Sequence, residues 1–226
     1  MTLLNIVQHA ADRLGLTRPS TVISSSDENA RILLGMAQEE GKSLADRHTW
    51  QALQTEYTFS TVNGTSSYAL PTGFDAIIKD TVFNRTKRRA MQGDLSPAQW
   101  QETQASLVTM VNPAFRIRGS LFYISPTPTA TETVAYEYLT KNWCSAGAAW
   151  TSDTNTALLD EELITLGIIW RFKSKKGFDY AEDMNTYEVA VTNAITKNGA
   201  LVTIDTANCQ RDRVPYAPQM PESFTI

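Results

Sequence analysis

The sequence predicts an α+β protein with helices at both ends of the chain and an all-β insertion between them. Apolar residues recur at helical spacing before residue 49 and again after residue 158. Between Trp50 and Trp143 the spacing changes to an alternation of apolar and polar residues, which is typical of strands. Three prolines near the C-terminus exclude a helix there, so the predicted fold ends in an extended arm.

The first two helices are predicted at Thr2–Leu14 and from about Ser25 onward. Thr2 has the side chain of an N-cap, and Ser25 and Glu28 have the spacing of a capping box. Gly35 and Gly41 each weaken the second helix by ~1 kcal/mol relative to alanine. We expect these glycines to allow the close approach of a neighbouring backbone.

Two further helices are predicted near the C-terminus, and together with the first two they form a four-helix body. The third, Leu159–Lys176, is apolar around most of its circumference, so it should be buried on several sides. Gly177 ends this helix. Asp179 is predicted to cap the fourth helix, which Gly199 ends.

The insertion contains several predicted strands. Alternation over Glu56–Thr61 predicts a strand, and the turn Asn63-Gly64 predicts that it forms a hairpin with Ser66–Leu70. Gly119-Ser120 predicts a second tight turn, and Ser96-Pro97 predicts the start of a short helix. The remaining strands are predicted at Ile77–Arg85, Phe115–Arg118, Leu121–Ser125 and Thr133–Leu139.

The predicted units are a helical body of residues 1–49 and 158–199, a β-rich insertion of residues 50–145 and an extended arm of residues 200–226. Pro215, Pro218 and Pro221 lie in the arm, where apolar side chains are spaced between polar ones. Segments of this kind dock onto a partner in an extended conformation. The apolar residues expected to bind a partner are Val214, Tyr216, Met220, Phe224 and Ile226.

The overall charge limits the kinds of partner. The chain of 226 residues has a formal net charge of −4 and a pI of about 5.3, which argues against a protein that grips a nucleic-acid backbone by bulk charge. A protein that surrounds DNA without gripping it is still compatible with this charge. No segment has the composition of a membrane span, and the N-terminus lacks the pattern of a signal peptide, so we expect intracellular synthesis and no membrane partner.

No pattern in the sequence predicts catalytic residues, a cofactor or a metal. His9, His48, Cys144 and Cys209 do not have the spacing of metal ligands. The acidic groups Asp160-Glu161-Glu162 and Glu182-Asp183 could be paired catalytic carboxylates, but both lie in the first turn of a predicted helix. The helix dipole favours negative charge at that position, so we interpret both groups as structural.

The densest charge feature is the basic run in Arg85-Thr86-Lys87-Arg88-Arg89. Its cations could contact DNA phosphates or an acidic partner surface. The alternative is a solvated hairpin end without a partner. Arg85, Lys87, Arg88 and Arg89 are therefore candidate partner-binding residues, with a structural alternative.

An ordered series of short motifs resembles the adaptor proteins of short-tailed bacteriophages, also called head-completion, connector or tail tubular proteins. Each motif is unspecific by itself, and the resemblance depends on their order over most of the chain. The motifs are Tyr68–Asp75, Phe83–Arg89, Leu95–Trp100, Phe115–Gly119, Tyr136–Tyr138, Asn142–Cys144, Leu158–Arg171 and Gly177–Asp183.

The resemblance implies a structural subunit of the virion, made in the bacterial cytoplasm, that forms a dodecameric ring beneath the portal. It implies that the C-terminal arm reaches the portal protein, that the tail nozzle or another tail protein attaches to the ring, and that genomic DNA passes through the channel without specific binding. It implies no catalytic residues and no cofactor. The negative net charge of the chain agrees with such a channel, because a negatively charged wall repels DNA and keeps it from adhering.

Three alternatives stay open at this point. The chain could be a tail nozzle or stopper component instead of an adaptor. A tail-associated hydrolase would need an acid–base or nucleophile constellation, and a sequence-specific DNA-binding protein would need a basic surface.

Overall fold

The computed structural model describes residues 1–105 and 112–199, which fold into helices and antiparallel strands. This confirms the α+β class. The helices are α1 (Leu3–Arg13), α2 (Glu28–Arg47), α3 (Pro97–Ala105), α4 (Glu161–Lys176) and α5 (Ala181–Asn198). The strands are β1 (Gln54–Ser60), β2 (Ser67–Ala69), β3 (Phe74–Ile77), β4 (Phe83–Asn84), β5 (Arg89–Ala90), β6 (Ala114–Arg118), β7 (Leu121–Ser125) and β8 (Thr133–Thr140).

The Thr2 cap of α1 and the end of α4 at Gly177 follow the sequence signals, whereas the sequence had placed Asp160 in the first turn of α4. The Thr2 hydroxyl accepts a hydrogen bond from the backbone N–H of Asn5 and caps α1. The Asp160 carboxylate accepts from the N–H of Glu162 at 2.9 Å and caps α4. Gly177 adopts a left-handed φ of 75° where α4 ends, a conformation that costs glycine little.

The start of α2 differs from the prediction. Asp27 caps this helix and accepts a hydrogen bond from Asn29 N–H, so the predicted capping box of Ser25 and Glu28 is wrong. The Ser25 hydroxyl instead accepts from Asp27 N–H. Aspartate is as strong an N-cap as serine, and this aspartate directly precedes the first helical residue.

Helix α4 is the centre of the helical part, because it packs against α1, α2 and α5. The prediction that this helix is buried on several sides is confirmed. Its buried apolar side chains join those of α1 and α2 in one core. The buried apolar side chains of α4 are Leu163, Ile164, Ile168, Ile169 and Phe172.

Two glycines, Gly41 and Gly167, allow close packing against side chains, whereas the sequence predicted close approach of a backbone at Gly35 and Gly41. A Cβ atom on Gly41 of α2 would lie 2.3 Å from the ring of Trp143, which is 1% exposed. A Cβ atom on Gly167 of α4 would lie 2.2 Å from the carboxyl carbon of Glu40. Gly35 has no atom within 4 Å of such a Cβ, so it serves no close approach among the described residues.

Glu40 is a fully buried carboxylate where α2, α4 and α5 meet. Its oxygens accept hydrogen bonds from the Arg171 guanidinium (Nε to Oε2, 2.7 Å) and from the Tyr187 hydroxyl. Burial, and then the contact with Glu40, raise the pKa of Tyr187 above its ordinary value. The buried charge is therefore paired and hydrogen-bonded, as a charge in a protein interior must be.

The strands form two sheets that face each other. The larger sheet has the order β1-β8-β4-β5, with β3 also pairing with β8, and the smaller has the order β2-β7-β6. Aromatic side chains fill the space between the sheets: the rings of Phe122 and Tyr136 are parallel, with centroids 5.4 Å apart, and Phe115 stacks on Phe122. The tight turn at Gly119-Ser120 joins β6 and β7, as predicted.

The predicted hairpin of Glu56–Thr61 with Ser66–Leu70 is wrong. β1 pairs with β8, where Tyr57 lies opposite Tyr136, whereas β2 belongs to the smaller sheet, where Tyr68 lies opposite Phe122. The turn at Gly64, with a φ of 79°, is present, but it carries the chain from one sheet to the other. Aromatic partners in both sheets favour this crossing over a local pairing.

The predicted strand Ile77–Arg85 is interrupted. β3 already ends at Ile77, and only Phe83–Asn84 near the other end of the predicted range form a strand, β4; both strands pair with β8, at different positions. Asp80 between them has a left-handed φ of 62°, a conformation incompatible with a continuous strand. The Thr81 hydroxyl donates to the carbonyl oxygen of Ile78 at 2.6 Å and stabilises this bend.

The insertion enters and leaves beside the helical core. Trp50 precedes β1, is buried, and donates from its indole N–H to the carbonyl of Leu44 at 2.6 Å. Trp143 and Trp150 follow β8 and pack edge to face with ring centroids 5.0 Å apart. Both ends of the insertion are thus held against α2. The division into separate domains stays a prediction.

Candidate partner-binding surface

The four basic candidates lie together on one exposed hairpin. β4 and β5 pair through Phe83–Ala90 and Asn84–Arg89, and residues 85–88 form the turn between them. The Asn84 side chain accepts a hydrogen bond from Lys87 N–H at 2.9 Å, and Arg88 has a left-handed φ of 53°. These local bonds fold the basic run back on itself, and all four cationic residues are exposed to solvent.

A buried glutamate anchors this hairpin. Glu132 is 7% exposed, accepts a hydrogen bond from the Asn84 amide and pairs with Lys87 (Nζ to Oε1, 2.6 Å). Burial alone would raise the pKa of Glu132, but the hydrogen bonds from Lys87 and Asn84 outweigh it and hold the pKa below its ordinary value. Lys87 therefore has a structural task in addition to any contact with a partner.

The arginines of the hairpin are placed differently. Arg85 pairs with Glu56 of β1 at 2.7 Å, with both side chains about half exposed. Such an exposed pair contributes little to stability and exchanges readily for a contact with a partner. Arg88 and Arg89 are exposed on the turn and on β5. The hairpin thus presents three exposed arginines and one lysine that is about half exposed and also anchors the hairpin.

A cleft of about 700 Å³ lies beside the hairpin. Lys87 and Arg89 form part of its rim, and the loop with Pro126 and Pro128 forms the opposite side. Three buried apolar side chains also line the cleft, namely Met91, Ile124 and Val134. Glu132 also lines the cleft and pairs there with Lys87, so the lining combines charged side chains of both signs with apolar ones.

Sequence reasoning missed two parts of this surface. Glu132 follows a proline- and threonine-rich loop, and nothing in its local pattern predicts that it pairs with a lysine 45 positions earlier. Phe83, beside the basic turn, is 43% exposed. Its exposure was missed because a strand pattern alone does not tell which face of the sheet is exposed to solvent. The other five candidates, Val214, Tyr216, Met220, Phe224 and Ile226, lie outside the described residues.

The acidic groups considered as catalytic pairs have structural surroundings. Asp160 caps α4, Glu161 pairs with the N-terminal amine, and Glu162 pairs with Arg13 at 2.8 Å. Asp183 in the first turn of α5 pairs with Lys173. Glu161, Glu162, Glu182 and Asp183 lie in the first turns as interpreted, whereas Asp160 precedes the first turn as the cap. Within residues 1–105 and 112–199, no group of three or more His, Cys, Asp or Glu side chains has the arrangement of a metal site.

None of the helices in the described part of the chain combines the length and hydropathy of a membrane span.

Comparison with known proteins defines the class of this chain. A family model described as SU10 adaptor protein matches residues 1–214, almost the whole sequence. The chain belongs to the SU10 adaptor protein family, a family of bacteriophage head-to-tail adaptors. The resemblance drawn from the motifs is confirmed. No curated protein matches the chain.

Proposed function

We propose that this protein is a structural subunit of the phage head-to-tail interface. In this proposal, copies of the chain form a dodecameric ring that binds the portal, extends the DNA channel and provides the attachment site for the tail. The protein works in the virion and catalyses no reaction. Membership of the adaptor family is the observation that carries the proposal.

The geometry of the described residues and the charge of the whole chain each support this function at one point. The exposed basic hairpin, with its adjoining cleft, is a surface for an acidic partner, and the tail is the partner that a ring below the portal would meet there. The negative net charge of each copy favours a channel through which DNA slides without binding. We assign the portal contact to the arm, residues 200–226.

A tail nozzle or stopper component is the second candidate within the same class. It would share the ring but would not bind the portal directly. Binding to the portal therefore separates the two candidates.

The test compares the full chain with a chain that ends after Gly199. Each is mixed with the purified portal protein of the same phage and sedimented. We expect the full chain to co-sediment and the shorter chain to stay in the supernatant, because many arms binding one portal ring make weak contacts effectively permanent. Circular dichroism checks that the helices of the shorter chain are folded.

Two results would contradict the proposal. Co-sedimentation of the shorter chain would move the portal contact from the arm to the helices. Failure of the full chain to bind the portal, together with binding to a purified tail component, would favour the nozzle or stopper.

A further inference from the structure

β1 is an edge of the larger sheet. Among the described residues it pairs with β8 alone, over seven residues from Gln54 to Ser60. An edge of this length presents a row of backbone N–H and C=O groups to any strand that can reach it. Glu56 is the one charged side chain on β1, so charge protects this edge only weakly against another strand.

The direction of the free backbone groups follows from one hydrogen bond. Thr61 N–H donates to the carbonyl oxygen of Glu132 at 2.8 Å, which continues the β1–β8 ladder. Because backbone groups alternate along an antiparallel strand, every second residue from Thr61 faces β8. The N–H groups of Glu56, Thr58 and Ser60 therefore point away from the sheet.

The described chain ends beside the start of this edge. The Asn198 side chain accepts a hydrogen bond from Gln51 N–H at 3.2 Å and donates to the carbonyl oxygen of Thr49 at 3.4 Å. Gln51 lies three residues before β1 begins. Residues after Gly199 therefore start within a few residues' reach of Gln54.

The sequence at that point has the pattern of a strand. Leu201-Val-Thr-Ile-Asp-Thr206 is rich in β-branched residues, and its alternation puts Val202 and Ile204 on one side. The matching side of β1 carries Tyr57 and Phe59, which stack with ring centroids 6.1 Å apart and are half-buried. Two aliphatic side chains on an added strand would cover these exposed aromatic edges.

We propose that residues 201–206 pair with the outer edge of β1 in the same chain. The pairing is parallel, because the segment enters beside Gln54 and runs towards Ser60. A tether of a few residues gives an effective concentration in the millimolar range, so a chain's own segment outcompetes that of a second copy. This pairing goes beyond the proposed function: it fixes the Ser60 end of β1 as the point from which residues 207–226 leave the body.

The test measures hydrogen exchange of backbone amides in the free protein, for the full chain and for the chain that ends after Gly199. We expect the amides of Glu56, Thr58 and Ser60 to exchange at least about fivefold more slowly in the full chain, because each gains a hydrogen bond. The amides of Tyr57 and Phe59 already bond to β8 and serve as internal controls.

A second pair of variants tests the geometry within the full chain. Thr58→Pro removes an outward N–H, which an edge strand tolerates, and should return the Glu56 and Ser60 amides to the rates of the shorter chain. Thr58→Ala keeps the N–H and should retain the protection. Unchanged protection of Tyr57 and Phe59 shows that β1 still pairs with β8 in each variant.

Equal exchange of the outward amides in the full and shorter chains would overturn the proposal. Protection that rises with protein concentration would also overturn it, because the added strand would then come from a second copy. Neither result affects the proposed function, which depends on sedimentation with the portal. Conversely, if the Glu56, Thr58 and Ser60 amides of the full chain exchange slowly but the full chain does not bind the portal, the strand pairing is supported and the proposed function is not.

Discussion

The two glycines of α2 have opposite surroundings, and this leads to opposite predictions. Gly35→Ala should stabilise the protein by about 0.5–1 kcal/mol, because its Cβ meets open space and alanine is the better helix former. Gly41→Ala should destabilise it by about 1–3 kcal/mol, because the Cβ would overlap the buried ring of Trp143. Urea denaturation of both variants measures the difference. A stabilising Gly41→Ala would mean that the ring can move.

Arg171 and Arg13 offer a second matched comparison. Arg171→Met leaves the buried Glu40 without its charged partner and should cost about 3–5 kcal/mol of stability. Arg13→Met removes a pair with Glu162 in which both side chains are about half exposed, and should cost no more than about 1 kcal/mol. Denaturation of the two variants at neutral pH tests the contrast. Similar costs would indicate that Glu40 finds another partner in the variant.

At the scale of the hairpin, the low pKa of Glu132 makes its anchoring dependent on pH. Because the pKa of Glu132 is lower in the folded protein than its ordinary value of 4.5, the ionised carboxylate stabilises the fold at pH values above 4.5. This stabilisation is lost as the pH falls through the pKa that Glu132 has in the folded protein. Glu132→Gln should therefore lower stability by about 1–3 kcal/mol at pH 7. The difference from the unmodified protein should vanish in strongly acidic buffer. A difference that does not change with pH would exclude the ionised carboxylate as its source.

The same hairpin carries the prediction about tail attachment. Replacing Arg85, Arg88 and Arg89 with glutamine should reduce tail attachment while the subunit stays folded, because Lys87 still pairs with Glu132. The control replaces three exposed lysines of the helices with glutamine, namely Lys175, Lys176 and Lys197. It changes the net charge by the same amount as the arginine variant. Attachment is measured as the fraction of tailed particles in an assembly reaction. Equal loss in both variants would indicate a general charge effect.

The sequence predicted those elements whose signals are local. The cap at Thr2, the end of α4 at Gly177 and the turn at Gly119 depend on neighbouring residues, and all three are present. The pairing of β1 was missed because it is not local: Tyr57 meets Tyr136, which a turn signal at Gly64 does not reveal. The basic hairpin was found as a charge run, but its anchor Glu132 was not, because their contact exists only after folding.

For the whole molecule, we predict a closed ring with head-to-tail contacts when the protein is bound to the portal. A channel requires that each copy contacts the next through two different surfaces. Native mass spectrometry of the portal complex gives the number of copies, and a monomeric free protein is compatible with this prediction. A closed two-fold dimer as the bound form would contradict it.

The central position of α4 has a consequence for synthesis of the protein. Helices α1 and α2 have buried faces that α4 covers, yet α4 begins only at Glu161. While the ribosome makes the β insertion, these faces have no partner, and contacts between residues so distant in sequence form slowly. Translation products that stop before Glu161 should therefore be sensitive to proteases and prone to aggregation, so an incomplete chain is removed before it can enter a particle.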